Sequence, residues 1–211
     1  MSHIKGSSPG VPSWDERFSG DEYIYGEEAN LFLQESAQLI PSKSKVAAYA
    51  EGEGRNAVFL AKLGHEVTAY DYAQVGLRKT EALAAKNGVQ VRTVQADLIE
   101  EELPVEVYDA AVMVFGHFPR QDQYRVLNKI IRSVKPGGRL LMEVYEEAQI
   151  SYDTGGPRDV DWLYRATELL EWCKQQRIIH FFTGEVDRTE GLYHSGSCCV
   201  VQIVVEKLEG K

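Results

Sequence analysis

The chain has 211 residues, 44% of them hydrophobic and 26% charged, with a formal net charge of −9. That length suits one hydrophobic core, and the balance is that of an ordinary globular domain. So much negative charge repels a phosphate backbone and an anionic bilayer alike, which argues against nucleic acid or a membrane surface as partner.

In chain order, the first segment is rich in Gly, Ser and Pro and has no apolar stretch. It reads as a flexible arm over 1–13, not a signal peptide, ahead of one domain over 14–208. Apolar residues at helical spacing predict a helix over 27–39, ended by Pro41. The apolar run 46–50 leads into a glycine-rich turn, and a helix over 56–63 follows, closed by Gly64. A run over 66–70 ends at Asp71, a helix over 75–86 stops at Asn87 and Gly88, and a run over 89–95 ends at Asp97. Next come a strongly apolar run over 108–115, a helix over 121–133, a turn at Lys135, Pro136, Gly137 and Gly138, and a run over 139–145. This alternation predicts an α/β fold built on a doubly wound, mostly parallel sheet. The tail reads as a helix over 161–176 and two strands over 177–188 and 197–207. Their connection, 189–196, is too short for a helical crossover, so the expectation is a C-terminal antiparallel hairpin.

The turn after the first strand runs Ala50, Glu51, Gly52, Glu53, Gly54, Arg55, Asn56. Glycines there let the backbone approach a ligand, and the next helix offers free N–H groups and a partial positive charge. A plain tight turn is the alternative. Asp71, at the end of the second strand, is placed to accept hydrogen bonds from ribose hydroxyls, or else to cap the next helix. Asp97 ends the third strand in the same way. Glu51 and Glu53 flank Gly52 and would repel a pyrophosphate, which favours a cationic ligand unless both stay exposed and idle.

The stretches WDERF, AEGEGRNAVFLAKLGHEVTAYD, QADL, YDAAVMVFGHFP, KPGGRLLMEVY, TGGP and HSGSCCVVQIVVEK, in that order and spacing, resemble the class I S-adenosylmethionine (SAM)-dependent methyltransferases. The likeness is to the bacterial small-molecule branch that holds tellurite-resistance (TehB-like) and thiopurine methyltransferases. It implies a Rossmann-like sheet of seven strands, SAM as cofactor, and a small-molecule methyl acceptor such as a thiol, a metalloid oxyanion or a metabolite. It also implies roles. The stretch from Ala50 through Glu51 and Gly52 to Gly54 cradles the methionine part, and Arg55 and Asn56 border the same pocket. Asp71 takes the ribose, Tyr72 lies against the adenine, and Asp97 and Leu98 meet its edge. Phe115 and Gly116 lie under the methionine moiety. Trp14, Phe18, Tyr25 and Gly26 form a lid. The sequence departs from the pattern at Ala50, where a glycine is usual, and at Ala48, where an acid is usual; Glu51 is the natural substitute for the missing acid.

For an acceptor that must lose a proton, His117 is the leading base, with a structural loop histidine as the alternative. Tyr145 either lines the acceptor site or packs in the core. Tyr152 and the Thr154-Gly155-Gly156-Pro157 stretch form either an acceptor-side loop or a simple turn. No metal-ligand spacing stands out. Adjacent Cys198 and Cys199 read as a strand with one thiol inward and one outward, and the cysteine pattern suits a reducing cytoplasm. The chain is expected to act as a monomer or homodimer. Competing readings are an NAD(P)-dependent oxidoreductase and a SAM-binding sensor without turnover.

Overall fold

A computed structural model describes residues 13–191 and 194–209. The expected arm therefore lies outside the described residues except for Ser13, whose side chain caps a short helix, α1 (Trp14–Arg17). The remaining helices are α2 (Leu31–Ser36), α3 (Arg55–Lys62), α4 (Gln74–Lys86), α5 (Arg120–Ser133) and α6 (Ala166–Cys173). The strands are β1 (Lys45–Tyr49), β2 (Glu66–Asp71), β3 (Val91–Gln95), β4 (Tyr108–Val114), β5 (Val134–Tyr145), β6 (Arg177–Glu190) and β7 (His194–Glu206).

The strands form one sheet in the order β3-β2-β1-β4-β5-β7-β6. β1 to β5 run parallel, and β7 is antiparallel to both β5 and β6. The α/β Rossmann-like fold with a C-terminal antiparallel hairpin is thus as expected. Its logic is visible in β1, where Val46, Ala47, Ala48 and Tyr49 are all fully buried. A parallel strand covered on both faces needs an unbroken apolar run. Ala47 and Tyr49 join Met113, Leu127, Ile130 and Trp172 in one layer of core. Val46 and Ala48 join Leu33, Ala57, Leu60 and Val112 in the other.

Four boundaries differ clearly from the sequence pattern. α2 begins at Leu31, because the Asn30 side chain caps it by accepting from the Leu33 N–H at 3.0 Å. β5 absorbs the expected 135–138 turn: Gly137 N–H donates to Lys207 O and Lys207 N–H to Gly138 O, both at 2.8 Å. A Cβ on Gly138 would meet Asp109 O at 2.5 Å, so only glycine fits. α6 is shorter than expected, because Tyr164 is drawn into extended pairing: its N–H donates to Tyr145 O at 3.1 Å and its carbonyl accepts from Glu147 N–H at 2.8 Å. The hairpin strands run further than expected, leaving only 191–193 between them. Among the described residues, no helix is long and apolar enough to cross a membrane.

Candidate functional site

Sheet order reverses between β1 and β4, so the crevice at their carboxyl ends is the ligand position this architecture offers. Both chains leave their strands in a left-handed conformation without glycine: Ala50 has φ 52° and Phe115 has φ 54°. Such a backbone costs an L-residue roughly 1–2 kcal/mol and marks the crevice as a place where strain is held by its surroundings. Gly54, at φ 95°, has no alternative, since a Cβ there would press on Thr80 at 2.7 Å.

The turn carries two buried carboxylates with different fates. Glu53 faces away from the crevice, paired with Lys79 Nζ at 2.7 Å and accepting from Ile24 N–H at 2.9 Å. Glu51 accepts the free Ala57 N–H in the first turn of α3 at 2.7 Å. Among the described residues no cation bridges it, and burial pushes its carboxyl up to about 7. Asp71 is likewise held by amides alone, from Gly52 and Ala73, each at 2.8 Å. Burial pushes it up to about 6. Each Asp71 oxygen keeps a further lone pair for a hydroxyl donor. The N-cap residue of α4 makes no side-chain cap, but Asp15 accepts from Val75 N–H at 2.8 Å, tying α1 to that helix.

Tyr72 is exposed beside Asp71. Asp97 folds its own turn, accepting from Ile99 N–H at 2.9 Å, while the Leu98 side chain enters the core. That loop is fixed by a residue the sequence reading passed over. Buried Lys129 donates to the carbonyls of Leu98, Ile99 and Glu101 at 3.3, 2.9 and 2.7 Å.

The N-terminal aromatic group lies on the turn. Trp14 stacks on Phe18 at 5.4 Å, and Tyr25 meets both rings. Phe18 is buried, and a Cβ on Gly52 would come within 3.2 Å of its ring. Gly26, at φ 76°, packs against Gly191 of the hairpin tip. Two shallow cavities of about 370 and 410 Å³ lie elsewhere, around Val89 and Arg92, and no expected site residue lines them.

Arg55 and Asn56 are committed behind the turn. Arg55 pairs with Glu190 at 2.6 Å, and the Asn56 carbonyl oxygen accepts from Asn30 N–H at 3.0 Å. Asn30 donates in turn to Glu143 at 2.7 Å, and Arg188 clasps Glu143. Arg55, Arg188, Glu143 and Glu190 are all buried, two cations against two anions. The sequence signals for this cluster are Glu143, the one charge in the apolar 140–145 end of β5, and Arg188 and Glu190 at same-face spacing on β6.

On the β4–β5 side, Tyr145 stacks with Phe115 at 4.4 Å and with His117 at 5.5 Å. His117 Nδ1 lies 3.0 Å from Trp162 O. A carbonyl only accepts, so Nδ1 carries the hydrogen and Nε2 presents a lone pair. Nε2 is buried and has no hydrogen-bond partner among the described residues. Burial pushes the imidazole down to about 4. Gly116 is held from below by the Tyr164 hydroxyl, which donates to its carbonyl at 2.8 Å. A Cβ on Gly156 would strike the Tyr145 ring at 2.8 Å, so the 154–157 loop roofs this side; Thr154 anchors it by donating to Ser197 O at 2.7 Å. Cys198 packs with Tyr145 and Leu163. Cys199 lies on the opposite face of its strand but is buried too, its thiol 3.9 Å from Glu146.

Residues 46–138 match the family described as a methyltransferase domain. Residues 46–138 thus carry a methyltransferase domain, on a fold shared with solved SAM-dependent methyltransferases. It is 30% identical over 106 residues to demethylmenaquinone methyltransferase of Thermus thermophilus, covering 49% of this chain and 48% of that protein. It is 29% identical over 116 residues to the ubiquinone biosynthesis O-methyltransferase of Rickettsia conorii, covering 54% and 39%. The chain thus spans about half the length, or less, of these curated relatives. Among solved structures, TehB from Haemophilus influenzae superposes with a TM-score of 0.68 at 19% identity, over 85% of this chain and 62% of that one. A SAM-dependent methyltransferase from Methanosarcina mazei gives 0.66 at 15% identity, over 87% and 100%.

Proposed function

We propose that this chain transfers the methyl group of SAM to a small-molecule acceptor. The carrying observation is that Glu51 and Asp71, buried at the glycine turn, are held by backbone amides and matched by no bridging cation. A ligand with a cationic end for Glu51 and hydroxyl donors for Asp71 would relieve both, whereas the pyrophosphate of NAD would be repelled. SAM supplies a methyl group already attached to a cationic leaving group. In this reading Ala50, Gly52 and Gly54 cradle its methionine part, and Glu51 faces its ammonium in place of the acid absent at Ala48. Asp71 takes the ribose diol, Tyr72, Asp97 and Leu98 border the adenine, and Phe115 and Gly116 support the methionine from below.

Arg55 and Asn56 hold the turn from behind. Trp14, Tyr25 and Gly26 cover the cofactor, and Phe18, which rests on Gly52, must swing aside for it to enter. A cytoplasmic setting is supported by three free thiols, and a monomer or homodimer remains the working assembly.

The test is a thermal shift with S-adenosylhomocysteine (SAH) and NAD in parallel, followed by transfer of labelled methyl. A rise with SAH alone, and turnover on a small acceptor, is expected. A rise with NAD alone would end this reading, and tight SAH binding without turnover on any acceptor would favour a sensor.

A further inference from the structure

The chemistry of the β4–β5 side narrows the acceptor. Arg120, Arg158 and Arg165 stand on the segments that flank this side, and Arg55 and Arg188 in the buried cluster behind the turn. Each is already bridged by a carboxylate. Among the described residues, none of these cations is left to draw in a metalloid oxyanion or a carboxylate. The walls are flat and largely apolar: Phe115, Tyr145 and His117 lie nearly parallel, at 18° and 12°, with Leu163 and Cys198 behind them.

Within this setting His117 Nε2 lacks a protein partner among the described residues, while Arg120 Nε and Nη1, also without hydrogen bonds, lie 3.6 and 3.7 Å from the carboxylates of Asp161 and Glu168. His117 Nε2 is buried, and its tautomer is set by the Trp162 carbonyl so that it can only accept a proton. A buried acceptor without a donor is costly and calls for a ligand that supplies one. An anionic acceptor has no such proton and needs no base. A neutral hydroxyl has one and gains from losing it as it attacks.

Resting on the methyltransferase reading above, we propose that the acceptor is an uncharged, planar hydroxyl compound of the phenol class, and that His117 Nε2 takes its proton. The O–H bond breaks toward Nε2 as the oxygen forms its bond to the methyl carbon. The sulfur–methyl bond breaks with its electron pair returning to sulfur. The products are a methyl ether, SAH and an imidazolium, which then releases its proton to water. Burial keeps the imidazole unprotonated at neutral pH, so the acceptor form is ready before the substrate arrives. Tyr145, stacked on both Phe115 and His117, is a positioning residue that fixes the base.

The test uses the full chain with 2-naphthol, catechol, tellurite and thiophenol as probes. With SAH saturating, nitrogen-15 spectra of the wild-type protein should show the His117 Nε2 resonance shifting on addition of 2-naphthol or catechol, and not of tellurite. Labelled methyl should pass from SAM to the hydroxyl compounds. His117→Gln should lower that rate by about 10²–10⁴-fold while SAH affinity stays unchanged. An Nε2 resonance that ignores both hydroxyl compounds overturns the proposal. So does methylation of tellurite or thiophenol that His117→Gln leaves intact. In both cases SAH still binds, and only the acceptor assignment fails. Absence of SAH binding would instead remove the methyltransferase reading itself.

Discussion

At the carboxyl end of β1 and β2, Glu51 and Asp71 are buried against backbone amides alone, whereas beside β5 and β7 Glu143 and Glu190 are each clasped by arginine. Both arrangements take carboxylates out of water, a costly step unless something compensates. On the β5–β7 side the compensation is internal and the result is rigid and neutral. On the β1–β2 side the protein leaves negative charge for a ligand to answer. One sheet edge thereby presents a cation site next to a neutral site. That is the pairing a transfer from a sulfonium to an uncharged acceptor needs.

The comparison can be broken most severely on its neutral side. Glu143→Ala leaves Arg188 with one weaker carboxylate, Glu190 at 3.5 Å, and takes away the acceptor of Gln202 Nε2. A loss of roughly 3–5 kcal/mol is expected in urea unfolding.

On the other side, Glu51→Gln keeps an oxygen for the Ala57 N–H and removes the unanswered charge. Calorimetry should show SAM affinity falling about tenfold, or ~1.4 kcal/mol. The ligand-free protein should melt higher, and a lower melting point would show that the carboxylate is matched after all.

Acidity sharpens the same contrast. Glu51 and Asp71 hold their protons more tightly in the fold than in the unfolded chain, at about 7 and about 6. Their contribution to stability is therefore full below the ordinary carboxylate range and is lost as pH rises through those values. A cation binds the ionised forms. The melting shifts produced by SAM and by SAH, which both carry the ammonium, should accordingly grow from about pH 5 to about pH 8. The smallest effect is expected from Ala50→Gly. It relieves the left-handed strain but adds backbone entropy to the unfolded chain, for a net gain of about 0.5 kcal/mol in thermal unfolding.

Where local rules govern, the chain could be read directly. Strands buried on both faces appear as apolar runs, as in Val46 to Tyr49, and Gly52 and Gly54 announce a turn that only they can make. Reading failed where a partner far along the chain decides the outcome. Asn30 stops its helix from reaching back to residue 27 while also meeting Glu143, 113 positions away. Pro136 and Gly137 signal a turn, yet Lys207 pairs their segment into β5. The same holds within the candidate site. His117 was visible as a candidate, but its tautomer depends on a carbonyl 45 residues later. Glu51 and Glu53 look alike in sequence, and only the fold gives a lysine to one and not the other. Lys129 carries no motif, since its role rests on three main-chain oxygens.

The strand order has a consequence for biosynthesis. β7 is made after β6 yet lies between β5 and β6. Ribosomes deliver the chain from its amino end, so the fourteen residues of β6 emerge before their only sheet neighbour exists. Glu190, at the end of that strand, cannot reach Arg55 until the hairpin docks. A nascent chain that already holds the whole glycine turn therefore still lacks its brace, and the crevice matures as the last act of assembly.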